Sequence, residues 1–207
     1  QYFLDGSFNI MDDAYILKTN LYSAENGNLI TENRFVESNI FTLIDKLVIQ
    51  LKINLDIPLQ YLETTTDLPV SSITTDNQIA LALYIKGKLI WSDNNPDSAF
   101  TLLTNTIEHD KYFLHAHGML AHLKMNALQD ASWRDHWEII LKGIDKLTDR
   151  TRFGYKRSYY LLNGDEELYK KVSLMHVQLY PYDIEAHNSL ADVYRNENNP
   201  QRYDNVI

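Results

Sequence analysis

The stretch that decides the fold is LALYIKGKLIWSDNNPDSAFTLLTN, residues 81–105. Its two apolar halves are separated by Asn-Asn-Pro, which predicts a helix, a tight break and a second helix. Gly87 lies in the middle of the first predicted helix, where glycine costs about 1 kcal/mol relative to alanine. A glycine at this point therefore needs a packing reason.

The reason is a repeat. Ala121 follows Gly87 after 34 residues, and Arg157 and Ala191 follow at further spacings of 36 and 34 residues. A helix–turn–helix unit of 34 residues is the period of the tetratricopeptide repeat. We expect these positions to lie where the two helices of a unit approach most closely, so that a small side chain is favoured. Arg157 is the exception.

The second helix of each repeat is predicted from the positions 12, 16 and 19 residues after the small one. These are Ala99, Leu103 and Thr106, then Trp133, Trp137 and Ile140, then Tyr169, Ser173 and His176. The third set is poorly apolar. A set shifted by one residue competes with it, namely Leu168, Val172, Met175 and Leu179, and both registers stay open. The predicted repeats span about 75–111, 112–147, 148–181 and 182–207. Breaks between helices are predicted at residues 94–96, 129–132, 163–165, 180–183 and 198–200.

Residues 1–57 have a different pattern. Alternating apolar and polar residues predict strands over 2–10, 14–22 and 29–36. Asn26 and Gly27 are expected to supply the positive φ angles of a tight hairpin turn. Ser38 is a candidate cap for a helix over 40–55. Residues 58–74, rich in Pro, Thr and Ser, are predicted to be a partly ordered linker. The fold class is therefore mainly α: antiparallel helical hairpins of the tetratricopeptide type follow a small α/β subdomain of three strands and one helix.

Composition restricts the function classes. The chain has 207 residues, 44% hydrophobic, with a net charge of −9 and no cysteine. The charge argues against nucleic-acid binding, and the absence of cysteine excludes disulfides and thiolate chemistry. No apolar run approaches the roughly 20 residues of a transmembrane helix. Because residue 1 reads as the interior of a strand, we expect a fragment of a longer protein, with parallel-strand partners upstream.

Candidate sites have plainer alternatives. Trp133 and Trp137 could stack on a ligand, but their repeat phase favours the core. A crowded histidine group, made of His109, His115, His117 and His122, lacks the spacing of a zinc site. Solvent-exposed or partly buried histidines without a role are the leading interpretation, and a pH-responsive cluster stays open. The two acidic residues at 12–13 suit a turn, and the three at 165–167 suit a helix N-terminus. No phosphate-loop, dinucleotide-binding or nucleophile-elbow motif occurs, so we expect no catalysis, no cofactor and no metal.

The order of segments resembles a known bacterial architecture. YFLDGSFNIMDDAYILKTNLYSAENGNLITENRF, residues 2–35, resembles the end of a small α/β domain, and NIFTLIDKLVIQLKINLDIP, residues 39–58, resembles its closing helix. DLPVSSITTDNQIALALYIKGKLIW, residues 67–91, resembles the junction into tetratricopeptide repeats. Such regions are similar to the C-terminal parts of CadC-type membrane-bound transcription activators and of repeat-tailed kinases or cyclases. The resemblance implies an extracytoplasmic sensing or binding region tethered through an upstream segment. A cytoplasmic location stays open.

In such arrays the first helix of each repeat lines a groove. Carried onto this sequence, the groove positions are Leu81, Tyr84, Lys88, Trp91, His115, Gly118, His122, Met125, Thr151, Gly154, Ser158, Leu161, Glu185, Asn188, Asp192 and Arg195. The resemblance implies a protein or peptide partner, although the Lys, Asn and Arg set that clamps chaperone tails is missing. The alternatives are a pH- or small-ligand-sensing domain and a spacer or homodimerisation module.

Overall fold

In the computed structural model, residues 1–58, 60 and 68–197 are described. The chain divides into two compact units, Gln1–Ala82 and Leu83–Ile207. The first unit contains strands β1 (Tyr2–Met11), β2 (Ala14–Ser23) and β3 (Leu29–Glu37), followed by helices α1 (Ile40–Asn54) and α2 (Val70–Ile73). The three predicted strands and the helix are confirmed to within one residue at each end.

The sheet is antiparallel throughout, in the order β1-β2-β3. Asp12 and Asp13 have φ angles of 48° and 60° and form the first hairpin turn, as their sequence context predicts. In the second turn only Gly27 has a positive φ, 72°, so the expectation that Asn26 shares this conformation is wrong. Helix α1 packs on β2 and β3, whereas β1 is exposed along its whole length.

Helix α1 begins one residue later than the predicted cap implies. The cap is Asn39, whose Oδ1 accepts hydrogen bonds from the backbone N–H of Phe41 at 2.8 Å and of Thr42 at 3.2 Å. Ser38 is therefore not the cap, because Asn39 directly precedes the first helical residue. Within the predicted linker, the Val70 N–H donates to Asp45 Oδ1 at 2.9 Å and fixes the start of α2. Residues 59 and 61–67 of that linker lie outside the described residues.

Antiparallel helical hairpins make up the rest of the described chain. The helices are α3 (Gln78–Ser92), α4 (Pro96–His109), α5 (Leu114–Leu123), α6 (Trp133–Gly143), α7 (Asp149–Leu162), α8 (Glu166–Leu179) and α9 (Ile184–Glu197). A π-helical segment, Lys124–Leu128, extends α5, and a 3₁₀ turn, Ile144–Lys146, follows α6. Successive helices pack as α5 on α6, α7 on α8 and α8 on α9. The fold is thus of the tetratricopeptide type.

The breaks between helices fall where the sequence predicts them. Asn95 caps α4 by accepting from the Ser98 N–H at 3.2 Å, with Pro96 in the first helical position. Asp165 caps α8, and acidic residues occupy its first turn. The predicted break at residues 198–200 and the second helix of the last repeat lie outside the described residues. Within the described residues, no helix is both long and apolar enough to span a membrane.

The close-packing explanation for Gly87 is confirmed. A Cβ at Gly87 would lie 3.1 Å from Leu103 Cγ on α4. Ala121, the equivalent residue of the second repeat, is buried in a cluster with Trp137 and Ile140. Trp137 therefore belongs to the core, as predicted.

In the third repeat the unshifted register is correct. Tyr169, Ser173 and His176 are buried, although two of them are polar. The shifted register is wrong, because Leu168, Met175 and Leu179 are 37%, 43% and 63% exposed. The physical reason lies on α7, where Arg157 occupies the small-residue position and needs polar partners on the facing helix.

Candidate functional site

The first half of the predicted groove is an aromatic and histidine row. The Tyr84 ring on α3 lies 4.9 Å from the Phe113 ring and 6.5 Å from the His115 ring, measured between centroids. About two turns further along the hairpin, Trp91 makes an edge contact with His122 at 6.1 Å. The structure thus brings together predicted groove residues from α3 and α5.

Tyr84 and Trp91 also belong to the hydrophobic core. Both are partly buried against the cluster that contains Ala99, Leu103 and Leu120. Burial raises the pKa of the Tyr84 hydroxyl above its ordinary value. Truncating either aromatic ring would therefore remove core packing together with groove surface, and the exposed groove residues Lys88 and His122 offer cleaner tests.

His115 connects this row to the third repeat. Its ring lies 6.4 Å from the Tyr155 ring on α7, and its Nδ1 is buried with no hydrogen-bond partner among the described residues. Burial, and then the positive charge of Lys88, lower the pKa of His115 below 6.5. The side chain is therefore held neutral near physiological pH.

A polar cavity of about 390 Å³ lies between α7 and α9. Four of the predicted groove residues line it: Thr151, Gly154 and Ser158 from α7, and Glu185 from the first turn of α9. Arg150 and Tyr155, which the sequence-based positions did not include, complete the wall, together with Arg157. A Cβ at Gly154 would have only Glu185 Oε1 nearby, at 3.8 Å, so the glycine leaves open space.

Arg157 is a buried cation at the floor of this cavity. Its side chain is only 6% exposed, and its Nη2 donates to Glu185 Oε1 at 3.0 Å. Its Nη1 donates to His176 Nδ1 on α8. His176 must then carry its proton on Nε2, which faces Asp183 Oδ2 at 3.7 Å. Burial, and then the charge of Arg157, lower the pKa of His176.

Arg150 is held at the edge of the same network. Its Nε lies 2.6 Å from Asp183 Oδ2, and the arginine side chain is 63% exposed while the carboxylate is buried. Each positive charge at this end of the groove therefore has its own carboxylate: Asp183 for Arg150 and Glu185 for Arg157. The sequence signal for this network is the pair of unusual residues at the small position and 19 residues later, Arg157 and His176.

The remaining predicted groove residues are less closely connected. On α9, Asn188 is exposed, and Arg195 Nη1 donates to Asp192 Oδ1 at 2.7 Å, so these two side chains bind each other. Met125 lies in the π-helical segment. Its assignment assumed α-helical phase, which a π turn does not keep, so a role for Met125 in the groove stays a prediction.

A second histidine contact lies away from the groove. His117 Nε2 donates to the Lys111 carbonyl at 3.0 Å, so neutral His117 accepts at Nδ1 from His136 Nδ1, 2.8 Å away. Both residues are buried, which corrects the expectation that His117 is exposed or partly buried. Burial, and then the neighbouring His117, lower the pKa of His136 to about 4. Among the described residues, no three His, Asp or Glu side chains are grouped as a metal site.

The solved structures that are similar to this chain include two tetratricopeptide domains. The first tetratricopeptide domain of Spaghetti (RPAP3), bound to the HSP90 peptide SRMEEVD, is 19% identical with a TM-score of 0.45, covering 58% of this chain and 94% of that one. The first such domain of human RPAP3, solved by NMR, is 17% identical with a TM-score of 0.47, covering 60% and 97%. No family model and no curated protein matches the chain. The fold assignment rests on the chain's own hairpins and their period.

Proposed function

We propose that this chain is a non-catalytic interaction module that binds a peptide or protein segment along the groove formed by α3, α5, α7 and α9. The observation that carries the proposal is the 390 Å³ cavity, which is lined by Thr151, Gly154, Ser158 and Glu185. A polar cavity beside an aromatic row supplies both hydrogen-bonding groups and apolar contacts, as peptide-binding grooves do.

By resemblance of segment order, we assign this module to a bacterial signalling or transcription regulator of the CadC type. In that setting it is the extracytoplasmic part of an inner-membrane protein, tethered through an upstream segment. The DNA-binding, kinase or cyclase unit would then act on the signal that the groove receives. Sequencing the gene upstream of Gln1 tests this placement, and a frame without a membrane-spanning segment would contradict it.

Site-specific photocrosslinking tests the groove itself. A photoreactive amino acid is placed at Ser158, which lines the cavity, or at Asn188, and the protein is irradiated in the organism that encodes it. The matched control carries the same photoreactive group in place of Lys142, whose side chain is 79% exposed. Lys142 lies on α6, the second helix of its repeat, and not on a helix that lines the groove. We expect a discrete adduct from the groove positions only. Equal adducts from Lys142, or none from the groove, would contradict the proposal.

The buried pair His117–His136 favours pH sensing as a second candidate function. Protonating both rings would place two positive charges 2.8 Å apart in the interior of the second hairpin. Because burial lowers both pKa values, the response is expected between about pH 4 and 6.5. A melting temperature that stays flat across that range would remove this candidate.

A further inference from the structure

Strand β1 forms one edge of the three-stranded sheet, and every residue from Tyr2 to Met11 is exposed. Just beyond the strand, the Ala24 N–H donates to the Gln1 carbonyl at 2.9 Å, so the odd-numbered residues direct their backbone groups towards β2. The backbone N–H and C=O groups of the even-numbered residues therefore point away from the sheet. Such an edge is a template for a further strand.

The two edges of the sheet differ in how well they resist pairing. The other edge, β3, carries Glu32, Arg34 and Glu37, and its ladder with β2 contains a register shift. Charged side chains and irregular ladders keep edge strands from associating. In contrast, β1 pairs with β2 in continuous register, contains no lysine, arginine or proline, and has Asp5 as its one charged residue. The edge at β1 is therefore the one open to association.

The even-numbered side chains of β1 form an apolar stripe beside this edge. Tyr2, Leu4, Phe8 and Ile10 are 57%, 45%, 49% and 65% exposed. They share the face of the sheet that α1 covers, because Leu4 lies opposite the buried residue Leu21 on β2. Helix α1 packs on β2 and β3, so the stripe stays uncovered beside it. Contiguous apolar surface of this kind marks an interaction site.

The sequence of β1 is nearly palindromic in its chemistry about Ser7. Counted outwards from Ser7, the matching residues are Gly6 and Phe8, Asp5 and Asn9, Leu4 and Ile10, and Phe3 and Met11. These are the cross-strand pairs that form when two copies of the strand meet antiparallel across a two-fold axis at Ser7. Apolar residues then lie opposite apolar residues, the carboxylate lies opposite an amide, and each Phe8 covers the glycine of the other copy.

The backbone favours the same register. The even-numbered residues 4, 6, 8 and 10, whose backbone groups point outward, pair only with one another in this arrangement. Each such pair exchanges two hydrogen bonds, which gives about eight between the copies, within the usual 10 ± 5 of a protein interface. The Gly6 N–H donates to Asp5 Oδ1 at 2.7 Å, so this exposed carboxylate must turn aside when the strands pair.

We propose that two copies of this chain associate through β1 and form a continuous six-stranded antiparallel sheet with its two-fold axis at Ser7. The two apolar stripes then meet on one face of the sheet, between the two α1 helices. The inference rests on β1 and is independent of what the groove binds.

Cysteine crosslinking tests the register, because the chain has no cysteine of its own. Across the axis, the Cα atoms of the two Ser7 residues would lie about 4.5 Å apart, within the range of disulfides. Ser7→Cys should therefore give a disulfide-linked dimer on oxidation. Asn9→Cys, exposed on the same face of β1, is the control, since its two copies would lie about 13 Å apart along the strands. We expect a crosslinked dimer from Ser7→Cys only.

Analytical ultracentrifugation of the full 207-residue chain measures the association itself. We expect a mass twice the 24.2 kDa of one chain. Leu4→Lys places a charge in the stripe and should raise the dissociation constant at least about tenfold. Ile30→Lys makes the same change on β3 at matched exposure, 44% against 45%, and should leave the dissociation constant unchanged. Far-UV circular dichroism should be the same for the wild type and both variants.

A chain that stays monomeric, or equal crosslinking from Ser7→Cys and Asn9→Cys, would overturn the inference. A dimer that Leu4→Lys and Ile30→Lys weaken equally would also overturn it, because the contact would then lie elsewhere. The Ser7→Cys crosslink is repeated on the complete gene product in the organism that encodes it. Its absence there would show that another strand of the same polypeptide occupies the edge. These results do not depend on the groove, so the proposed function stands or falls separately.

Discussion

Gly87 and Arg157 occupy the same position of their repeats and are packed by opposite means. Gly87 lets α3 approach α4 so closely that a Cβ would lie 3.1 Å from Leu103 Cγ. Arg157 places a charged side chain between α7 and α8, where the side chain is 6% exposed and hydrogen-bonded to His176 and Glu185. The same backbone arrangement thus encloses an apolar contact in one hairpin and an ionic network in the other.

The comparison shows that the residue at this position of the repeat also restricts which residue can lie 19 positions later, on the facing helix. Nineteen residues after Gly87 lies the buried residue Thr106. Its hydroxyl donates a hydrogen bond to the Leu102 carbonyl of the same helix at 2.8 Å. Nineteen residues after Arg157 lies His176, whose Nδ1 accepts from the arginine. A buried charge must be paired, since unpaired burial costs several kcal/mol. The polar hairpin therefore needs the correct residues on two helices, whereas the glycine hairpin needs only space.

The largest effect is expected in the apolar hairpin. Leu103 is fully buried against Gly87, so Leu103→Ala should lower the free energy of unfolding by about 3 kcal/mol through lost contacts and a residual cavity. Urea titration measures the change. Thr101→Ala, at an exposed position of the same helix, is the control and should have little effect. A loss in Leu103→Ala no larger than in the control would show that the close approach is not tightly packed.

Lowering the pH should reduce the free energy of unfolding by about 2 to 3 kcal/mol. The pKa of His136 is lowered to about 4, and those of His117 and His176 are also lowered. Between about pH 4 and 6.5 the unfolded chain therefore binds more protons than the folded one. Stability is complete above about pH 6.5 and is lost as the pH falls towards 4.

His136→Gln tests whether the buried histidine pair causes this dependence of stability on pH. The amide can still donate to His117 but does not titrate, so the dependence of the unfolding free energy on pH should become shallower. His109→Gln, which removes a histidine at an exposed position of α4, is the matched control. Equal slopes in all three proteins would assign the acid response to other groups.

Breaking the ionic network should cost about 2 kcal/mol. His176→Leu removes an acceptor from buried Arg157 while Glu185 remains, so the loss is smaller than for a fully orphaned charge. The double variant Arg157→Met/His176→Leu should recover most of the loss, because an apolar pair of similar volume replaces the network. Chemical denaturation of the wild type, both single variants and the double variant gives the coupling energy. Additive losses would mean that the two side chains do not interact.

The smallest effect is expected when two helical glycines, Gly154 and Gly87, are each replaced by alanine and the changes in melting temperature are compared. Alanine gains up to about 1 kcal/mol of helix propensity over glycine. At Gly154 the added Cβ meets open space, so Gly154→Ala should raise the melting temperature. At Gly87 the same change brings Cβ against Leu103, so most of that gain should be lost. Calorimetry of the two variants measures the difference, and an equal gain at both positions would refute the close-packing role of Gly87.

Much of the fold could be read from local spacing. The three strands and the breaks at residues 94–96, 129–132, 163–165 and 180–183 follow from alternation and turn residues that lie within a few positions of one another. The groove positions Thr151, Gly154, Ser158 and Glu185 were implied by the resemblance to tetratricopeptide arrays together with the repeat phase, and the structure brings them to one cavity. Arg150 and Tyr155 could not be found in this way, because neither has the phase of a groove position.

The sequence by itself determined the helical hairpins and their period, since both depend on residues that are close along the chain. Only the tertiary structure decided which face of α8 is buried. Its more apolar stripe, which contains Leu168 and Met175, faces outward, because Arg157 on α7 requires His176 inside. The pairing of His117 with His136 was likewise decided there. Such contacts depend on distances between helices, which the spacing of residues within one helix does not specify.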